Sequence, residues 1–177
     1  MRQLRRNLFL TLIPFLLPIS AQAEQYYFGI MAGSTTYEEP GFEFKVPILT
    51  GKLGYRINDM LSAEVHAGVA GSDDVGGVSM DLTYLASGFV RGDWSPVDDG
   101  RISLYGLIGF SAADMEFKTA TTTASSTESG VSYAVGVDLY ADRNHGVFIQ
   151  WGRYLDDTLR GADYTLDNLS AGYIRNF

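Results

Sequence analysis

The 177-residue chain has no cysteine. Disulfide frameworks and thiolate metal sites are therefore excluded. Histidine is scarce, with only His66 and His145 to serve as imidazole bases or ligands. Basic residues are outnumbered, 13 Lys and Arg against 21 Asp and Glu, so the formal net charge is −8. An acidic chain of this kind is not built to hold nucleic acid. Long apolar runs are also missing. After residue 23 nothing approaches the ~20 consecutive apolar residues that a membrane-spanning helix needs.

What is present starts at the N-terminus. "MRQLRRNLFLTLIPFLLPISAQA" carries three arginines, an apolar run from Leu8 to Ile19, and then Ala21-Gln22-Ala23. These are the n-region, h-region and A-x-A site of a secretory signal peptide. The run is too short for a spanning helix and is broken by Pro14 and Pro18. Cleavage after Ala23 is expected to leave one domain, residues 24–177. Without the leader's three arginines it keeps 10 basic residues against 21 acidic ones, a net charge of −11.

The mature chain alternates with a period of two, which is a strand signal rather than a helix signal. "LSAEVHAGVAG" is the clearest stretch, with Leu61, Ala63, Val65, Ala67 and Val69 against Ser62, Glu64, His66 and Gly68. "VSMDLTYLASGFVRG" sets Met80, Leu82, Tyr84, Ala86 and Val90 against Ser79, Asp81, Thr83, Ser87 and Arg91. "VFIQWGRYL" sets Val147, Ile149, Trp151 and Leu155 against Gln150 and Gly152. Five further segments behave similarly and bring the count to eight strands. Three connections are short, "NDM", "SPVDDG" and "DRNHG", and they take turns with longer polar stretches. In an antiparallel meander this places all the long loops, chiefly Tyr37 to Val46 and Met115 to Gly130, at one end.

A soluble barrel buries its apolar face and turns its charges outward. Here the more apolar face has few charges, while Lys52, Arg56, Glu64, Asp81, Arg91 and Asp138 share the other face with Gly, Ala and Ser. Apolar outside and polar inside is the transmembrane barrel arrangement. Tyr26, Phe28, Tyr55, Trp94, Tyr133, Tyr173 and Phe177 fall toward strand ends, where interfacial aromatic girdles belong. The fold class is thus all-β, an eight-stranded antiparallel up-and-down transmembrane barrel. An eight-stranded barrel is filled by side chains, so a wide pore is not expected. A three-residue turn at Asn58-Asp59-Met60 sets Gly54 opposite Glu64, with Lys52 and Arg56 diagonal to that carboxylate. Such a group of charges reads as a satisfied structural network inside the lumen.

Together, "YYFGIMAG", "LSAEVHAG", "SYAVGVDLY", "WGRYLDD" and "LSAGYIRNF" make the chain resemble the small eight-stranded outer-membrane barrels of Gram-negative bacteria, the OmpA-like and OmpX/Ail type. The resemblance implies residence in the cell outer membrane, contact with lipid and lipopolysaccharide, and delivery by periplasmic chaperones to the barrel-assembly machinery. It also implies that Leu169, Ala171, Tyr173 and Phe177 form the C-terminal signal that this machinery reads. Arg175 stands where the family pattern has a hydrophobic residue. No cofactor is implied.

Enzymatic barrels are the alternative class, lipid A-modifying enzymes first among them. Outer-membrane lipid A deacylases use a His-x-Ser pair, but the two histidines here read His66-Ala67-Gly68 and His145-Gly146-Val147. Barrel proteases use acid pairs with a histidine at the outer rim. Asp73-Asp74 and Asp156-Asp157 supply the acids, yet His66 belongs to the lumen face and His145 to a turn at the other end. The expected function is therefore non-enzymatic, structural or adhesin-like, with any extracellular ligand bound through the long loops.

Overall fold

A computed structural model describes residues 25–97, 100–159 and 162–177. The expected leader, residues 1–23, and the cleavage point lie outside the described residues, as do residues 98 and 99 of the Ser95–Gly100 link. Strands run as β1 (Tyr26–Glu39), β2 (Phe42–Arg56), β3 (Leu61–Ala70), β4 (Ser72–Val75), β5 (Val78–Trp94), β6 (Ile102–Lys118), β7 (Thr123–Tyr140), β8 (His145–Leu159) and β9 (Ala162–Asn176). All the pairings are antiparallel, from β3 through β2, β1, β9, β8, β7 and β6 to β5, and β5 pairs back onto β3. The sheet therefore closes. β4 continues β3 beyond Gly71 along the same neighbour, β5, so the nine segments make eight staves. Closure leaves no unpaired edge to face lipid. The last turn of the seal is Phe177, whose backbone N–H donates to the Tyr26 carbonyl at 3.1 Å.

The outer wall has a lipid-facing belt. Along β3, Leu61, Ala63, Val65, Ala67 and Val69 are all exposed. Their eight residue steps cover about 26 Å along the strand, or roughly 20 Å along the membrane normal at a ~40° tilt. Flanking aromatics extend this toward the ~25 Å apolar band of outer-membrane barrels. Tyr26 and Tyr55 pack at 5.1 Å near the termini, with Trp94, Tyr173 and Phe177 exposed at the same end. Tyr133 and Trp151 meet edge to face at 6.1 Å higher up.

Beyond the belt the long loops expected from the sequence are strands. β1 and β2 stay paired from Tyr26↔Tyr55 to Glu39↔Phe42, with only Pro40 and Gly41 between them. Pro40 suits the first turn position, and Gly41 takes φ +93°, which the second requires. Gly76 and Gly77, both at positive φ, turn β4 into β5. β6 and β7 pair from Ile102↔Leu139 to Lys118↔Thr123, so the polar "TATTTASSTES" stretch is mostly a paired strand. Backbone pairing satisfies its amides whatever its side chains are. The molecule thus raises paired β-hairpins at the end opposite its C-terminus.

The interior has two storeys, and here the simple alternation fails. Met80, Leu82 and Leu155 point inward, fully buried, instead of toward lipid. The register of β5 against β6 slips between Leu82 and Tyr84, and that of β8 against β9 slips between Arg153 and Leu155. A β-bulge inserts one residue and reverses the facing of all that follows. Thr83 and Tyr84 are accordingly both exposed, and Tyr154 and Leu155 are both buried. The upper storey is an apolar core that includes Tyr37, Phe44, Val46, Met80, Leu82, Met115, Leu155, Tyr164 and Leu166. The lower storey, nearer the termini, holds the charges.

Candidate functional site

Glu64 is the centre of the lower storey. β2 and β3 set Gly54 opposite Glu64 and Lys52 opposite His66. Because residue 54 has no side chain, the Tyr27 ring from β1 can lie over it. A Cβ on Gly54 would stand 1.9 Å from Tyr27 Cζ. The Tyr27 hydroxyl donates to Glu64 Oε2 at 2.5 Å, and His66 Nε2 bonds the other carboxylate oxygen. Lys52 Nζ lies 3.9 Å from Glu64 Oε1 and Arg91 Nη1 3.4 Å from Oε2.

Arg91 carries the network onward to Asp93 at 2.6 Å and Asp138 at 2.5 Å, while its guanidinium carbon sits 3.8 Å from the Tyr105 ring centre. Ser103 donates to Asp93, and Tyr140 to Asp138. Lys52 makes no hydrogen bond through its ammonium. The Phe148 ring lies under it at 3.7 Å, a favourable place for a desolvated cation.

Of the six residues expected to share a lumen network, Lys52, Glu64, Arg91 and Asp138 meet. Arg56 and Asp81 do not. Arg56 stands opposite Ser62 and sends its guanidinium to Asn176 Oδ1 at 2.9 Å, because the Tyr27 phenol already occupies the near side of Glu64. Asp81 lies on the far side of the Thr83 bulge, so it faces outward and pairs with Lys118 at 2.5 Å. That contact holds its carboxyl below the usual range. Sequence reasoning missed Tyr27, Asp93 and the ring partners Tyr105 and Phe148. Asp93 was visible two residues from Arg91, on the same face. The Tyr27–Gly54 cross-strand pair could be found only once the register was known.

On β9, Leu169 and Tyr173 are exposed to the lipid side and Ala171 shares their face; Phe177, just past the strand, is exposed too, and Arg175 sits 5.2 Å from its ring. The rim acids have local partners. Asp73 accepts the Lys45 backbone N–H at 2.8 Å, and Asp156 pairs with Arg153 at 3.3 Å. Arg153 also grips Asp167 through two bonds, at 2.8 and 2.9 Å. His145 closes its turn on Asp142 at 3.0 Å. Among the described residues no group of three or more His, Asp or Glu side chains is set to hold a metal ion.

Solved structures with the same architecture include Neisserial surface protein A, at a TM-score of 0.65 and 16% identity, covering 86% of this chain and 97% of that one. Ail, the attachment invasion locus protein of Yersinia pestis, superposes at 0.60 with 16% identity, covering 85% and 99%. Ail has also been solved in complex with the heparin analogue sucrose octasulfate, where it matches at 0.60 and 15% identity over 85% and 97% of the chains. The N-terminal barrel domain of Pseudomonas aeruginosa OprF gives 0.56 at 13% identity, covering 85% and 98%. No curated protein matches the chain. The model of the outer membrane protein beta-barrel domain matches residues 8–177. Taken with a closed eight-stave barrel, a lipid-facing belt and a charged interior, this match places the chain in that family, as an integral protein of the outer membrane.

Proposed function

We propose that the chain is a non-enzymatic outer-membrane barrel that holds four stiff β-hairpins above the lipid and binds extracellular partners with them. The observation that carries this reading is the continuation of paired strands past the apolar belt, which among the described residues occurs at the end away from the C-terminus. Such extensions cost sequence and folding without thickening the membrane anchor. They suit display on a rigid scaffold. The lower-storey charges act as structural cement in this reading, since Glu64 and His66 are buried and locked to each other. An imidazole held in that way is a poor base for a substrate from outside. Residues 1–23 serve as the export signal, and Leu169, Ala171, Tyr173 and Phe177 serve as the signal for the assembly machinery after escort by periplasmic chaperones.

The test compares cells carrying the full barrel with cells whose β1–β2 and β6–β7 hairpins are cut back to the belt. Loss of attachment to host-cell or matrix surfaces, with the same amount of folded barrel, is the expected result. Unchanged attachment would overturn the display reading. Lipid A mass spectra with and without the protein should be identical, and a changed acyl pattern would revive the enzyme alternative, with His66 the first residue to replace.

A further inference from the structure

Above the belt the wall of the barrel divides. β7 pairs with β6 as far as Lys118↔Thr123, but its pairing with β8 stops at Tyr133↔Arg153. β2 pairs with β3 no higher than Ile48↔Ala70, and β4 pairs with β5. The crown is therefore two four-stranded sheets, β8–β9–β1–β2 and β4–β5–β6–β7, packed over the upper apolar core. Among the described residues two seams part them, β2 from β4 and β7 from β8.

A seam leaves strand edges, and an open edge is a template for another chain unless it is guarded. The first seam is guarded. Pro47 has no N–H to offer, Gly71 donates to the Pro47 carbonyl at 2.9 Å, and Asp73 accepts the Lys45 N–H at 2.8 Å. On the second seam β8 carries Arg153, Asp156 and Asp157. β7 has none of the usual guards. From Thr123 to Val131 it has no proline, no basic residue and no bulge, and its single acid, Glu128, accepts from the Ser126 hydroxyl.

The ladder shows which groups are open. Tyr140 donates to the Arg101 carbonyl and Ala141 to that of His145, so even-numbered residues of β7 bond β6 and odd-numbered ones face β8. The register against β6 has no shift, which carries this parity upward. Thr123, Ser125, Thr127 and Ser129 thus turn their N–H and C=O groups to the seam, where among the described residues no strand pairs with them. All four are exposed. Donors and acceptors repeating at two-residue spacing match another extended backbone.

We propose that the β7 edge from Thr123 to Ser129 is a docking site for an extended polypeptide segment of an extracellular partner, added as a further strand of the β4–β5–β6–β7 sheet. This rests on the display reading and gives that reading a mode of binding. The segments above the belt, 34–47, 71–83, 112–129 and 153–168, hold 13 acidic and four basic residues, a net charge of −9, so the segment that fits is neutral or basic. A second copy of the chain does not fit. Two barrels in one membrane would bring their β7 edges together in parallel and with opposed tilts, each in a field of the same sign.

The experiment titrates the refolded barrel in zwitterionic micelles with a dye-labelled peptide of alternating threonine and valine, with a lysine at each end. The peptide should bind. Amide exchange should then slow at Thr123, Ser125, Thr127 and Ser129, while Ala124, Ser126 and Glu128 keep their rates. Thr127→Pro, with barrel circular dichroism unchanged, removes an edge N–H and leaves the bonds to β6. It should weaken the peptide at least about tenfold. Thr127→Val keeps that N–H and should bind within about twofold of the original. Equal loss in both variants would assign recognition to the hydroxyl and overturn strand addition. Protection of even-numbered residues alone, absence of binding, or a dimer that depends on the β7 edge would overturn it as well. If trimmed hairpins abolish cell attachment in any of these cases, the display reading stands while this inference falls.

Discussion

Replacing Glu64 by Gln tests the lower storey most directly. The change keeps the shape of the side chain and an oxygen for the Tyr27 hydroxyl, but it removes the charge and sets an NH2 donor where Oε1 meets His66 Nε2. Arg91 loses one carboxylate at 3.4 Å but keeps Asp93 and Asp138. Lys52 fares worse. Glu64 is the carboxylate within 4 Å of its ammonium, which is wholly buried and makes no hydrogen bond of its own. Breaking a buried pair by removing one partner costs about 3–5 kcal/mol, because a charge is left desolvated without compensation.

The expected loss for Glu64→Gln is therefore about 3–5 kcal/mol, read from equilibrium urea unfolding in phospholipid vesicles. The two tryptophans, Trp94 and Trp151, both face the lipid side and report that transition. Lys52→Met gives the control, since it removes the orphaned cation and leaves a chain of similar length on the Phe148 ring. The double variant should be more stable than Glu64→Gln alone by at least about 1.5 kcal/mol, because the buried cation left without its carboxylate is no longer there. A loss below about 1 kcal/mol for Glu64→Gln would refute this account, as would a double variant no better than the single one.

Gly54→Ala should displace the Tyr27 ring, whose Cζ would stand 1.9 Å from the new Cβ, and cost at least about 1–3 kcal/mol by overpacking, measured in the same unfolding assay. Val65→Arg, in the middle of the belt, should cost about 2–4 kcal/mol, whereas Thr127→Arg, exposed above it, should cost near zero; equal costs would mean that the belt is misplaced. Phe177→Asp should sharply lower insertion into the outer membrane and leave protease-sensitive chains, and insertion at the level of the original would remove Phe177 from the assembly signal. The Asp142 carboxyl is held below its usual range by the backbone N–H of Asn144, followed by His145. Its lowered value makes it stabilise the turn above the ordinary carboxylate range, a contribution lost as pH falls through that value. Amide exchange at Asn144 and His145 should therefore quicken below about pH 4, and Asp142→Asn should abolish that pH dependence.

Strand identity, the barrel and its inside-out belt were legible in the sequence because a two-residue period written with Leu, Val and Ala against Ser, Glu and Gly has few other solutions. The Asn58 turn also yielded to counting. It set Gly54 opposite Glu64, and the Asn58 side chain holds it by accepting from the N–H groups of Met60 and Leu61, both at 2.9 Å. Two features were not legible. A stretch such as "TATTTASSTES" has loop composition, and nothing local shows that a partner strand will satisfy its backbone. Bulges leave no mark in a binary pattern either, since Met80, Leu82, Tyr84 and Ala86 continue one alternation across the inserted residue at 83. Asp81 was drawn into the lumen network for that reason alone.

The bulges are where two opposite solubility problems meet in one wall. Inside the belt the solvent is lipid, so Val65 and Val135 face out while Glu64 and Ser132 face in. Above the belt the solvent is water, and the same barrel must behave as a soluble one, with Met115, Leu155 and Leu166 inside and Asp81, Lys118 and Asp156 outside. A strand with strict alternation cannot serve both unless its sequence changes phase at the boundary. β5 and β8 keep their apolar phase and shift the backbone instead, at Thr83 and Tyr154. β3 gives way to β4 at Gly71, beside the first of these shifts, and Leu82 bonds the Gly71 carbonyl there at 3.2 Å. The apolar upper core that results gives the hairpins their own tertiary packing. They can therefore hold a fixed acidic surface away from the membrane, which four flexible loops of the same composition could not do.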